Sequence, residues 1–153
     1  MERLDPRVRL VWGLGVLVSS AIVGAIATGI VVFVTDWPIF VGIGAGVVVM
    51  ILGLLHTVFR YRIWRYDVQE DALYLERGVF TRVRTVVPFV RIQHVDTQRN
   101  PIERAAGIGS VVVYTAGSRG ADVSIPGLDP DQASELQHRL RRLVGESEAE
   151  DAV

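Results

Sequence analysis

With 153 residues and a formal net charge of -1, the chain has room for one small soluble domain plus membrane segments, not two globular domains. It has no cysteine, which excludes a disulfide framework, a thiolate nucleophile and a thiolate-bound metal. All 16 basic residues are arginine, so Schiff-base lysine chemistry is excluded too.

Apolar residues make up 50% of the chain and are concentrated early. Residues 1–9 read as a cytoplasmic N-terminal segment bearing Arg3, Arg7 and Arg9. Residues 10–59 predict a two-helix transmembrane hairpin, with spans at about 10–34 and 38–59. No charged residue occurs from Leu10 to Thr35, nor from Trp37 to Phe59 unless His56 is protonated. At ~1.5 Å per residue, either stretch as a helix can cross a hydrocarbon core of ~30 Å. The first run outlasts the core of a signal peptide and continues past the small residues Ala25 and Ala27, so an uncleaved span is expected. Only Thr35 to Pro38 separates the spans, which makes them antiparallel neighbours.

Arg3, Arg7 and Arg9 precede the first span, and Arg60, Arg62 and Arg65 follow the second. The positive-inside rule therefore predicts a multi-pass protein of the cytoplasmic membrane with both termini cytoplasmic. Trp12, Trp37 and Trp64 fall near span ends, where indole rings favour the headgroup layer. Small residues repeat at four-residue spacing, as Ala21, Ala25 and Gly29 and as Gly42 and Gly46, a pattern that lets helix backbones approach. With no Asp, Glu or Arg inside either span, a pump or carrier is not expected.

Residues 60–145 predict a small, mostly β domain. Strands are expected near 62–68, 72–77, 80–87, 92–99, 110–116 and 121–126, with turns at Glu70-Asp71, Gly78 and the 117–120 loop. Asn100-Pro101 stops a strand, and one or two helical turns follow before Gly107. Asp129-Pro130-Asp131-Gln132 is a helix start. Ala133, Leu136, Leu140, Leu143 and Val144 then share one face, so the helix must cover something apolar. Gly145 is read as its stop, and Arg139, Arg141 and Arg142 as last-turn cations that complement the helix dipole. The acidic tail, residues 146–153, is expected to be disordered.

Within this domain, Val87-Pro88-Phe89-Val90-Arg91-Ile92-Gln93-His94-Val95 precedes Pro101-Ile102-Glu103-Arg104-Ala105-Ala106-Gly107, then Thr115-Ala116-Gly117 and the terminal helix. This run resembles the bacterial pleckstrin-homology-like (PH-like) domain of YdbS-type membrane proteins, in which a two-span hairpin also precedes the domain. The resemblance implies a membrane α-helical hairpin plus an α+β, mostly β, domain. That domain would be a PH-like, partly open β-barrel of two near-orthogonal antiparallel sheets capped by the C-terminal helix. It implies no catalytic residue and no cofactor. It also implies a partner, a larger membrane protein with tandem copies of the domain, with a homo-oligomer as the alternative.

Catalytic arrangements are missing from the pattern. No serine sits in a nucleophile elbow, and three scattered histidines do not make a zinc site. His94 and Asp96 share a strand face, the ordinary arrangement of a solvated polar surface. The expected function is therefore a non-catalytic, membrane-anchored interaction or scaffold module. Recognition of anionic lipid headgroups through Arg60, Arg62, Arg65, Arg82 and Arg84 is the alternative. No nucleic-acid partner and no metal are expected.

Overall fold

A computed structural model describes residues 1–117 and 122–151. The chain forms two units. One is Arg9–Phe59, and the other joins Met1–Val8 to the chain from Arg60 onward.

The first unit is a helical hairpin made by α1 (Val8–Val34) and α2 (Phe40–Ile63). Its large apolar side chains mostly point outward; Phe33 is 87% exposed and Val34 75%. A core helix of a soluble protein would bury such residues, whereas a membrane span offers them to lipid. The hydroxyls bond back to the helix: Ser20 Oγ donates to the Leu17 carbonyl at 3.0 Å and Thr57 Oγ1 to the Gly53 carbonyl at 3.0 Å.

Small residues set the helix approach, as expected, but on α1 the contact lies one position before the expected stripe. A Cβ built on Gly46 would lie 2.9 Å from the Gly24 Cα and 3.2 Å from the Ser20 carbonyl, and one on Gly42 would run into the Thr28 backbone. Ser20, Gly24 and Thr28 therefore face α2, while Gly29 has open space beside it. Several small residues repeat at a spacing of four on α1, and composition alone does not choose among the rows. Gly42→Leu is expected to force α1 and α2 apart at a cost of about 1–3 kcal/mol or more. Faster amide exchange across residues 40–50 would register it, and unchanged exchange would refute the close approach.

The domain begins before the hairpin. Strand β1 (Glu2–Arg3) pairs antiparallel with β2 (Arg65–Val68), which pairs with β3 (Ala72–Arg77), and β3 pairs with β4 (Val83–Pro88). A second sheet holds β5 (Ile92–Gln98), β6 (Gly109–Thr115) and β7 (Val123–Leu128) in that order, also antiparallel. Among the described residues no ladder joins the two sheets, so the barrel is open. Leu73, Leu75, Val95, Val111, Val113, Ile125 and Leu128 are almost fully buried and make the core.

Helix α3 (Pro101–Ala106) starts on a capping box. The Asn100 side chain accepts from the Glu103 N–H, and the Glu103 carboxylate accepts from the Asn100 N–H. It ends on Gly107, left-handed at φ 72°. The Pro-x-x-Arg-x-x-Gly spacing of residues 101–107 is thus one short capped helix. Helix α4 (Pro130–Asp151) opens as the sequence implied, with Asp129 Oδ1 accepting from the Asp131 N–H at 3.1 Å. Ala133, Leu136 and Leu140 are buried where α4 packs on β5, β6 and the 3-10 turn Phe89–Arg91. Gln137 Nε2 donates to the Val95 carbonyl at 2.7 Å.

Several expectations are corrected. The strand expected at 62–68 starts at Arg65, because α2 runs on to Ile63. Extending a formed helix costs little, and Arg60 and Arg62 suit its C-terminal end. The strand expected from residue 80 starts at Val83, after a turn opened by Gly78 at φ 99°. Gly145 does not stop α4, and residues 146–151 are helical rather than disordered. A glycine inside a helix costs only about 1 kcal/mol, and good helix formers stand on both sides of it, among them Arg142, Leu143, Glu146 and Glu148. Arg139 and Arg141 are therefore mid-helix and do other work, donating to the Val68 and Val95 carbonyls at 3.2 Å each. Trp64, expected in the headgroup layer, is packed into the domain at 4% exposure. Residues 118–120 of the expected loop lie outside the described residues.

Candidate functional site

Strand register decides what the arginines can do. Arg3 lies opposite Arg65, Arg65 opposite Glu76, and Glu76 opposite Arg84, which makes one line across the four-stranded sheet. Side chains directly opposite in antiparallel strands share a face. Glu76 therefore sits between two arginines, and Arg84 Nε donates to its Oε1 at 2.8 Å. That hydrogen bond, followed by the charges of Arg84, Arg82 and Arg65, holds the Glu76 carboxyl below its usual range. The structure thus gathers Arg65, Arg82 and Arg84 but sets a carboxylate among them. Arg82 precedes β4 rather than lying in it, and Arg60 and Arg62 occupy the last turn of α2. With one carboxylate among its three arginines, this line carries less net positive charge than a bare basic patch would.

Arg7, read only as a topology signal, is a structural clamp. Its guanidinium meets Asp5 Oδ2 and Asp129 Oδ2 at 2.8 Å each and donates to the Gly107 carbonyl at 3.0 Å. These carboxylates raise its pKa further, and the Arg7 hydrogen bond lowers that of Asp5. The Asp5 N–H bonds the Gly127 carbonyl at 2.7 Å, and Leu4 and Val8 are buried. The Tyr66 hydroxyl donates to Glu2 at 2.7 Å, and burial, then Glu2, pushes its pKa up. The segment before the hairpin is thus part of the domain's walls.

His94 and Asp96 approach to 3.7 Å, both well exposed, while the His94 ring stacks on Tyr114 at 4.2 Å. This is a surface pair. Among the described residues no three His, Asp or Glu side chains gather as metal ligands.

A feature that residue reading did not locate is a groove of about 320 Å³. Residues 85–88 of β4 line one side, and Arg91 and residues 115–117 line the other. Pro88 ends β4 and starts the 3-10 turn, and the Arg91 carbonyl accepts from the Ala116 N–H at 2.8 Å. The Pro-Phe-Val-Arg and Thr-Ala-Gly segments, far apart in sequence, therefore meet at one groove.

The model of the bacterial PH domain family matches residues 10–144, most of the chain and most of both units. The chain belongs to the bacterial PH domain family. It is 32% identical over 150 residues to UPF0699 transmembrane protein YdbS of Bacillus subtilis (strain 168). That alignment covers 94% of this chain and 92% of that protein. No solved structure matches the chain. The resemblance carried by residues 87–128 is therefore a family relation, and this bacterial PH domain is carried by a membrane protein with two helices long and apolar enough to span.

Proposed function

We propose that this bacterial PH domain is a non-catalytic interaction module, anchored in the cytoplasmic membrane and holding a protein partner at its cytoplasmic face. The observation that carries the reading is the domain's two-part construction. The chain leaves it at Val8 and re-enters it at Arg60, so both flanks of the hairpin belong to one folded body, which supports putting both on one side of the bilayer. The arginines on those flanks select the cytoplasmic side. A domain tethered through both flanks of the hairpin is suited to presenting a surface to a neighbour, and a larger membrane protein with repeated PH-like domains is the partner expected, ahead of self-association.

Anionic-lipid recognition through Arg60, Arg62, Arg65, Arg82 and Arg84 is the second reading, and the clustering of Arg65 and Arg82 with Arg84 favours it. Glu76 in their midst weighs against it. Two measurements separate the readings. Extraction from native membranes in mild detergent is expected to yield the chain with a second polypeptide in fixed ratio, and a lone chain would overturn the interaction reading. Partner retention should be the same in neutral and anionic nanodiscs; a partner-free chain that instead binds anionic vesicles and loses this in Arg82→Glu/Arg84→Glu would establish the lipid reading.

A further inference from the structure

The order of the first sheet leaves β4 at an edge. Its ladder to β3 fixes which backbone groups are spare. The Phe89 N–H bonds the Asp71 carbonyl, one step beyond the Ala72–Pro88 pair. By alternation Val87, Thr85 and Val83 face β3, and Arg84 and Val86 turn their N–H and C=O groups outward. A free strand edge is a template for another strand. Beyond it lies the 320 Å³ groove, room for roughly ten water molecules at about 30 Å³ each, which suits a short extended segment.

The groove is selective in charge. Among the described residues Arg91 is the only ionisable one lining it, it is exposed, and no described residue pairs its guanidinium. Arg82 stands exposed before the strand. Asp122, whose carboxylate accepts from the N–H of the lining residue Thr115 at 3.2 Å, does not itself line the groove. Resting on the interaction reading above, we infer that the β4 edge receives an extended, acidic segment of a protein partner as an added strand, with Arg91 pairing one of its carboxylates. Backbone hydrogen bonds supply the docking and the charge supplies the choice. A second copy pairing through its own β4 fits poorly as occupant, because residues 83–88 contain Arg84 and no carboxylate. A lipid headgroup has no alternating N–H and C=O groups to complete the ladder.

The test uses the full chain in neutral detergent micelles and three fluorescent pentapeptides read by anisotropy. The probes are Asp-Val-Asp-Val-Asp, its lysine counterpart Lys-Val-Lys-Val-Lys, and the acidic peptide N-methylated at both valines. The acidic peptide is expected to bind, and the other two at least tenfold more weakly. Arg91→Glu is expected to weaken the acidic peptide at least tenfold, and Val86→Pro likewise. The Val86 N–H makes no bond to β3, so an edge proline is tolerated there. Should Val86→Pro fail to fold, Arg91→Glu and the N-methylated peptide still decide the matter. No binding at millimolar peptide, or equal binding of all three, overturns the inference. A photocrosslinker at Val86, with Gln93 as control, is then placed in cell membranes. A partner joined from Val86 and not from Gln93 supports the site. A co-purifying partner never joined from Val86, or a Val86 link to a second copy, overturns the site and leaves the interaction reading standing. No partner at all overturns both.

Discussion

Leu140→Ala is expected to destabilise the domain by about 2–5 kcal/mol, a large part of the about 5–15 kcal/mol that holds a typical domain together. Leu140 is 0% exposed and sits where α4 packs on β5 and β6. The barrel is open between its sheets, so α4 keeps water from the Val95, Val111 and Val113 cluster. Truncation removes buried methyl groups and leaves a cavity that strands on a fixed ladder close only in part. Leu143→Ala, one turn on and only half-buried, should cost much less. Urea unfolding of the full chain in micelles checks both, with an unchanged slope showing that the same surface is exposed. A loss under about 1 kcal/mol for Leu140→Ala would mean that α4 does not close the core.

Gly127→Val is expected to cost about 3 kcal/mol or more, from two separable causes. Gly127 has φ +64°, where a side chain costs about 1–2 kcal/mol and a β-branched one more. A Cβ there would also lie 2.5 Å from the Val8 Cβ. The Gly127 carbonyl takes the Asp5 N–H, so strain at this point loosens the whole leading segment. Hydrogen exchange should show lost protection at Asp5 and Tyr66. In a double-mutant cycle, Val8→Gly, which removes the overlapping Cβ, should restore the part due to overlap and not the part due to φ. Full rescue would exclude a backbone contribution, and no rescue would exclude the Val8 contact.

Much of this was readable from the residues, for physical reasons that differ by element. The spans declare themselves by uncharged length alone. α3 is legible because Asn100, Pro101, Glu103 and Gly107 each satisfy a local requirement of a short helix. Strand β1 is not legible, because two residues carry no periodicity and its partner, β2, lies beyond the hairpin. For the same reason Arg7 looked like a topology signal, when its carboxylates include Asp129 at the far end of the domain. The basic residues of the first sheet were visible, but their balance with Glu76 depends on register. The groove illustrates the same limit. Its two walls were noticed as motifs, yet their meeting depends on Ala116 pairing with Arg91, next to the register shift between Ile92 and His94.

The two-part domain also sets an order of assembly. As the chain is synthesised, residues 1–8 emerge before the strand they pair with. Both greasy helices are made before the strand that accepts Glu2 and Arg3 leaves the ribosome. Closure of the first sheet then comes late and depends on successful insertion. A molecule in which only one helix crosses leaves the two flanks on opposite sides, with a bare β2 edge and an empty socket for Leu4 and Val8, the kind of sticky surface that quality-control proteases find.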